Sequence, residues 1–146
     1  MTDHRPRRLS AIADWFGITA SSVCAVHCLL LPALLITGTV LPASILTDES
    51  FHLLMLWAIL PAAIVAFGIG CMRHKDVWVL ALGAIGLTGM VLGALVVHDL
   101  IGEVGERVVT VISAAILIAA HYRNFRLCRS EGCTHEDGCA ADDLRV

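Results

Sequence analysis

The sequence predicts an all-α protein, a four-helix transmembrane bundle with both termini on the cytoplasmic side, and three observations lead to this prediction. The chain is strongly apolar, with 58% hydrophobic residues among 146 and a mean hydropathy of +0.81. Its charged residues leave long neutral runs between them, and about 20 apolar residues cross a bilayer as a helix. Most of its basic residues lie in segments that these runs would place on one side of a membrane. Such a composition excludes an ordinary soluble domain.

The first three spans are predicted in the neutral runs 15–47, 53–72 and 77–97. The fourth is the weakest, because the run 108–120 gives only about 20 Å of helix against a hydrocarbon core of about 30 Å. It spans only if residues 105–125 are helical, with Arg107 and Arg123 extending outward and Tyr122 at the interface. The alternative is a helix lying on the membrane surface.

The basic residues set the predicted orientation, since cytoplasmic loops carry an excess of Lys and Arg. Those assigned to the cytoplasmic side are Arg5, Arg7, Arg8, Arg73, Lys75, Arg123, Arg126, Arg129 and Arg145. The first apolar run is too long for a cleaved signal peptide and is predicted to be retained. The chain then divides into a basic N-terminus (1–13), a transmembrane domain (14–125) and a cytoplasmic tail (126–146).

The first helix carries polar residues at helical spacing. Asp14, Gly17, Ser21, Cys24 and Cys28 recur every three or four residues and therefore share one face. No cysteine lies in a predicted outer loop, which favours reduced thiols over disulfides.

Next to this face, His27 and Pro32 could complete a site for a thiophilic ion. His27 lies roughly 60° to one side of Cys24 at 100° per residue. Pro32 frees the carbonyl of Cys28, because its ring displaces that group. An intramembrane histidine beside two thiols favours metal binding. The alternative is close helix packing by small residues.

The third and fourth helices each show a further pattern. Glycines at 83, 86, 89 and 93 predict close approach of a neighbouring helix. In the fourth helix one face is predicted to look into the bundle, and its members are Glu106, Thr110, Ser113, Leu117, His121 and Asn124. Glu106 and His121 are candidate metal ligands, although Thr and Ser also bond locally to the backbone.

Ordered by predicted depth, the remaining candidate ligands form an outer, an inner and a tail group. The outer group is Glu49, His52, His98 and Glu106, and the inner group is His74 and His121 with Asp14. The tail group is Cys128, Cys133, His135 and Cys139. Thiols and imidazoles bind soft or borderline ions. The alternatives are histidines that mark the membrane interface and a disordered tail.

These groups predict a protein that binds and transports a soft divalent metal ion, since a bare charge cannot cross hydrocarbon. No ATP-binding loop, nucleotide motif or nucleophile with a base is recognisable, so neither an enzyme nor nucleic-acid binding is expected. No resident cofactor is required, with Hg²⁺ or Zn²⁺ as the bound ion and lipid as the surroundings. Two other classes remain open: a membrane redox protein with haem between facing histidines, and a structural or sensory subunit.

With these residues in view, the chain resembles the MerC family of four-helix mercury-resistance proteins of the bacterial inner membrane. The resemblance rests on "SSVCAVHCLLLP", "ESFHLL", "LPAAIVAFGIGCMRHKD" and "GERVVTVISAAILIAAHYRNFRLC". It implies Hg²⁺ passing from the periplasm through Cys24 and Cys28, then to Cys128 and Cys133 and to cytoplasmic mercuric reductase.

The spacing of the first cysteine pair departs from this family pattern. Operon-encoded mercury carriers have cysteines adjacent or two residues apart, whereas Cys24 and Cys28 are four residues apart with His27 between them. An imidazole between the thiols is a harder ligand set, which leaves Zn²⁺ or another borderline ion open as cargo.

Overall fold

A computed structural model of the chain describes residues 4–37 and 49–130. Within these ranges the regular structure is helical throughout, with no strand, as predicted. The elements are α1 (His4–Ile36), α2 (Glu49–His74), α3 (Val77–Leu92), a π-helical turn (Gly93–Val97) and α4 (His98–Ser130).

The number of candidate spans differs from the prediction of four. Within the described ranges, three helical stretches are long and apolar enough to cross a membrane: Arg8–Leu30, Phe51–Gly70 and Val77–Arg129. The predicted third and fourth spans belong to one stretch of 53 residues. The sequence prediction placed Asp99, Glu103 and Glu106 in an outer loop between these two spans, but all three residues are helical.

The backbone turns at Gly102, where the long stretch doubles back on itself. Gly102 has φ 75° and ψ −177° inside α4, a conformation that is essentially restricted to glycine. Gly86 then faces Leu117, and Gly89 faces Ser113, so positions later in α3 meet positions earlier in α4. The stretch is therefore an antiparallel helical hairpin, and the predicted close approach at the α3 glycines is confirmed.

Helix α1 runs antiparallel to both α2 and α4. Asp14 contacts Asn124, and further along α1 Cys28 contacts His52 near the start of α2. The buried core between the helices combines small residues with a few large ones, among them Ile59, Ala63, Ala66, Phe67, Leu117 and Ala120. The predicted inward faces of α1 and α4 are confirmed, since Asp14, Ser21, Cys24, Cys28, Glu106, Thr110, Ser113, Leu117, His121 and Asn124 are all buried.

Large apolar side chains point away from this core. Trp57, Trp78, Ile64 and Leu100 are among many that are well exposed. A protein with apolar residues outside and polar residues inside suits lipid as its surrounding solvent. With three apolar helices of sufficient length, the chain is a multi-pass membrane protein.

The turn between α2 and α3 is held by Asp76. Its Oδ1 accepts a hydrogen bond from the Val79 backbone N–H at 3.1 Å and so caps α3. Its Oδ2 accepts a second bond from Arg123 Nη2 of α4 at 2.8 Å. The Arg123 guanidinium, with help from the backbone N–H groups, holds the pKa of the Asp76 carboxyl below its usual range. This pair ties the turn to α4.

Candidate metal centre

The two cysteines of α1 lie beside a histidine of α2. One turn separates Cys24 and Cys28 on the same helix face, and α2 places His52 against them, with its Nε2 3.3 Å from the Cys28 sulfur. One ligand atom from each of these three residues lies within 4.8 Å of the others. The sulfurs are shielded, since Cys24 is 0% and Cys28 4% exposed.

This spacing fits a metal ion after small side-chain movements. A tetrahedral Zn²⁺ bound at 2.0–2.3 Å holds its nitrogen and sulfur ligands about 3.5–3.8 Å apart. The described residues supply three ligands at this place, and the ligand set of two thiols and one imidazole is soft to borderline.

Glu106 holds the histidine of this cluster from behind. Its Oε1 lies 2.9 Å from His52 Nδ1, and its Oε2 lies 2.8 Å from His98 Nδ1. A carboxylate accepts hydrogen bonds, so Nδ1 of His52 donates to Glu106, and Nε2 is the nitrogen that faces Cys28. A carboxylate behind the ring in this way is the usual support of a metal-binding histidine. The predicted association of His52, His98 and Glu106 is thus present in the structure.

His27 takes a different position from its two cysteine neighbours. Its ring stacks on Phe51 at 3.9 Å between centroids and lies edge-on to His52 at 6.2 Å. The nitrogen next to the thiols therefore comes from His52, and His27 lies alongside. The sequence ranked His27 first because it is adjacent along the chain, whereas the antiparallel pairing of α1 and α2 brings in a residue 24 positions away.

A second polar cluster lies about three to four turns from the cysteines, toward the N-terminus of α1. Asp14 Oδ1 is 3.0 Å from His121 Nδ1, and both Asp14 oxygens accept from Asn124 Nδ2 at 3.1 and 2.9 Å. Asn124 also donates to the Ala66 carbonyl at 3.2 Å. Phe67 stacks on the His121 ring with centroids 4.6 Å apart. Asp14, His121 and Asn124 are all 0% exposed.

A mostly apolar pocket of about 350 Å³ opens beside the first cluster. Its lining residues are Cys28, Leu29, Val104, Arg107, Val108, Val111 and Ile112. Cys28 is thus the cluster residue that this pocket reaches, and Arg107 is its one charged lining residue.

Of the other predicted site residues, the structure describes the side chains of Ser21 and Cys128 but not those of the rest. Ser21 is buried, and its hydroxyl has no hydrogen-bond partner among the described residues. Cys128 is half-buried with its sulfur 4.0 Å from Ser10 Oγ. The side chains of Pro32, Glu49 and His74 lie outside the described residues, as do Cys133, His135 and Cys139 altogether, so their predicted roles stay predictions.

Ser10 is a polar residue that the sequence analysis missed. It is buried and continues the α1 face one turn before Asp14, where it contacts Cys128. The same spacing of three and four residues would have identified it. It was passed over because it precedes the neutral run.

Comparison with known proteins identifies the family. The family model described as MerC mercury resistance protein matches residues 14–126, which is more than half of the chain. The chain belongs to the MerC family, as its sequence motifs predicted. No curated protein and no solved structure matches it significantly.

Proposed function

We propose that this MerC-family protein carries a soft divalent metal ion, the mercuric ion by family membership, from the periplasm to the cytoplasm. The observation that carries the proposal is the cluster of Cys24, Cys28 and His52 within the predicted spans. Family membership supplies the association with mercury resistance. No catalytic role is proposed.

The ligand set offers a physical reason why an ion could stay inside the bilayer. A divalent ion loses its hydration shell there, at a cost of many kcal/mol. Two thiolates replace hydration with strong bonds and cancel both positive charges, while His52 adds a neutral ligand. The complex is then electrically neutral. Its formation releases the two thiol protons, since metals bind thiolates.

The proposed topology has four crossings, of which the last two are the arms of the α3–α4 hairpin. Gly102 then lies at the outer surface, and both termini lie in the cytoplasm by the distribution of basic residues. The proposed location is the bacterial inner membrane. A cytoplasmic thiol protein such as mercuric reductase is the proposed acceptor.

Zn²⁺ is a second candidate cargo, and the arrangement of His52 favours it. An imidazole held by Glu106 at 2.9 Å is a ligand typical of zinc. Mercuric ion would depend chiefly on the two sulfurs. Removal of His52 therefore distinguishes the two ions: His52→Gln should weaken Zn²⁺ binding strongly and Hg²⁺ binding little.

The first test is metal binding by the purified full-length protein in detergent under reducing conditions. Hg²⁺, Zn²⁺ and Cu⁺ are offered separately to a parent protein whose Cys128, Cys133 and Cys139 are serine and whose His135 is glutamine. Adding Cys24→Ser and Cys28→Ser should lower the affinity at least 100-fold, whereas Cys71→Ser serves as the matched control. Equal binding by the parent and the double variant would contradict the proposal.

Transport itself needs a second measurement. Vesicles that contain the full-length protein and a trapped metal-sensitive dye should respond to external metal ion. Vesicles with the Cys24→Ser/Cys28→Ser protein should respond no faster than empty vesicles. If the unaltered protein binds metal but produces no uptake, the site serves storage or sensing and the transport proposal is rejected.

A further inference from the structure

In the second polar cluster, formed by Asp14, His121 and Asn124, one imidazole nitrogen is left without a described partner. His121 Nε2 is fully buried and has no hydrogen-bond partner among the described residues. Buried polar atoms of this kind are rare, because leaving one unpaired costs about 1–3 kcal/mol. The close approach of the ring to α1 depends on Gly17, where an added Cβ would lie 2.3 Å from His121 Nε2.

The hydrogen bonds of Asp14 suit one tautomer of that ring. Both Asp14 oxygens accept from Asn124 Nδ2, and Oδ1 also lies 3.0 Å from His121 Nδ1. With the ring proton on Nδ1, His121 donates to Asp14 and Nε2 keeps its lone pair. This repeats the arrangement of His52, whose Nδ1 is bonded to Glu106 and whose Nε2 is directed at a sulfur.

The charge of the cluster also points to a cation at His121 Nε2. With the ring proton on Nδ1 and Asp14 as a carboxylate, the cluster would hold one negative charge in a fully buried place, and no lysine or arginine is among the described contacts of Asp14. An uncompensated buried charge is costly. A cation at His121 Nε2 would satisfy the nitrogen and balance the carboxylate together.

We infer that His121 Nε2 is the firm ligand of a second intramembrane site, which takes a borderline divalent metal ion with Asp14 as countercharge. Ser21 lies one turn from Gly17 toward Cys24 on the same face, and its buried hydroxyl also has no partner in the described structure, which suits a second oxygen ligand. With so few protein ligands, the site binds weakly.

The position of His121 beside α1 suits a site that receives the ion from the thiols. Seven residues from Cys24 to Gly17 correspond to about 10 Å along the helix, with Ser21 between them. An ion leaving the thiols would find the next ligands inward at His121. This inference rests on the proposed function for its place in transport, although metal binding at His121 can be tested separately.

The test observes His121 directly, by ¹⁵N nuclear magnetic resonance of the full-length, histidine-labelled protein titrated with Zn²⁺ alone. A protein with all six cysteines replaced by serine and His135 by glutamine is used, so that neither the thiols nor the tail captures the ion. The His121 signals are assigned through their contacts with the Phe67 ring. A saturable change at Nε2 with Nδ1 still protonated is expected. Adding Asp14→Asn should weaken this response 10–100-fold, and Asp99→Asn should leave it within twofold.

Two outcomes would overturn the inference. One is an unmoved Nε2 resonance at Zn²⁺ concentrations that shift the exposed His98. The other is a change identical to that produced by acid, which would show that the nitrogen takes only a proton. The direct titration stands even if Asp14→Asn does not fold, because it needs no change in this cluster.

The same spectra of the protein with both cysteines separate this inference from the proposed function. If Cys24 and Cys28 bind metal and His121 never responds, the second site is rejected and the first remains. If His121 responds while the thiols bind nothing, the second site is supported and the thiol-based transport proposal fails.

Discussion

Two histidines inside the bundle are each held at Nδ1 by a carboxylate, and this choice of nitrogen decides what the rings can bind. Glu106 holds His52 at 2.9 Å, and Asp14 holds His121 at 3.0 Å. In both cases Nε2 is the nitrogen left for another partner, which is the Cys28 sulfur for His52 and no described atom for His121. Hydrogen-bonded carboxylates also raise the basicity of the imidazole and restrict its rotation. In the proposed complexes the carboxylates would therefore raise metal affinity through the histidines they hold.

Glu106→Gln tests this role of the carboxylate at the thiol site. The amide has nearly the same size but lacks the charge and can present an N–H to His52 Nδ1. We expect the Zn²⁺ affinity of Cys24, Cys28 and His52 to fall about 10–100-fold, measured by competition with a chelator. Glu103→Gln is the matched control, since Glu103 is exposed and pairs with Arg107. An unchanged affinity in Glu106→Gln would remove Glu106 from the site.

Asp76 gives a prediction for stability against pH. Its pKa is lowered chiefly by Arg123, so the folded state favours the ionised form. The stabilisation is present above the pKa of the unfolded chain and is lost as pH falls through the lower folded pKa. Asp76→Asn should reduce the Tm in detergent at pH 7, and the difference from the unaltered protein should shrink in acid below the usual aspartate range. Asp99→Asn should show no such difference, and a gap that persists in acid would contradict the assignment.

At the scale of helices, regular spacing predicted much of the structure. The buried faces of α1 and α4 follow from polar residues every three or four positions. The pairing of His52 with the thiols could not be predicted in the same way, because it depends on which positions of α1 and α2 lie at equal depth. Spacing along one helix carries no information about register between two helices. For that reason His27 ranked above His52.

The glycines of α3 determine how closely the two arms of the hairpin approach. At Gly86 an added Cβ would lie 2.7 Å from Leu117 Cγ and 3.2 Å from the Leu117 backbone nitrogen. The backbone atom cannot move aside without shifting α4. Small residues are the usual means by which membrane helices gain close packing.

Gly86→Ala should therefore destabilise the hairpin by about 1–3 kcal/mol, the usual cost of overpacking a tight contact. Unfolding in mixed detergent micelles would measure this change. Gly68→Ala is the matched control, because an added Cβ there meets nothing within 4 Å. Because alanine has a higher helix propensity than glycine, the Gly68→Ala protein should be as stable as the unaltered protein or slightly more so. Equal stability of the two variants would show that the α3–α4 contact is loose.

At the scale of the whole molecule, the two polar clusters lie at different depths of one bundle. From Cys28 to Asp14 the distance along α1 is about 21 Å, compared with a hydrocarbon core of about 30 Å. The two clusters thus cover most of a crossing. The orientation of the bundle in the membrane decides whether the thiols lie in the periplasmic half. The proposed direction of transport therefore depends on the topology.

The proposed topology predicts opposite accessibility for the two turns on either side of α3. In a protein whose own cysteines are serine, Asp99→Cys should react with a membrane-impermeant maleimide added to intact spheroplasts. Lys75→Cys should react only after the membrane is opened. Both positions are exposed in the structure, so accessibility reports the side of the membrane. If Lys75→Cys labels in intact spheroplasts and Asp99→Cys does not, the bundle is inverted. Asp14 and His121 would then lie on the periplasmic side of the thiols, and inward transfer from Cys24 to His121 would be excluded.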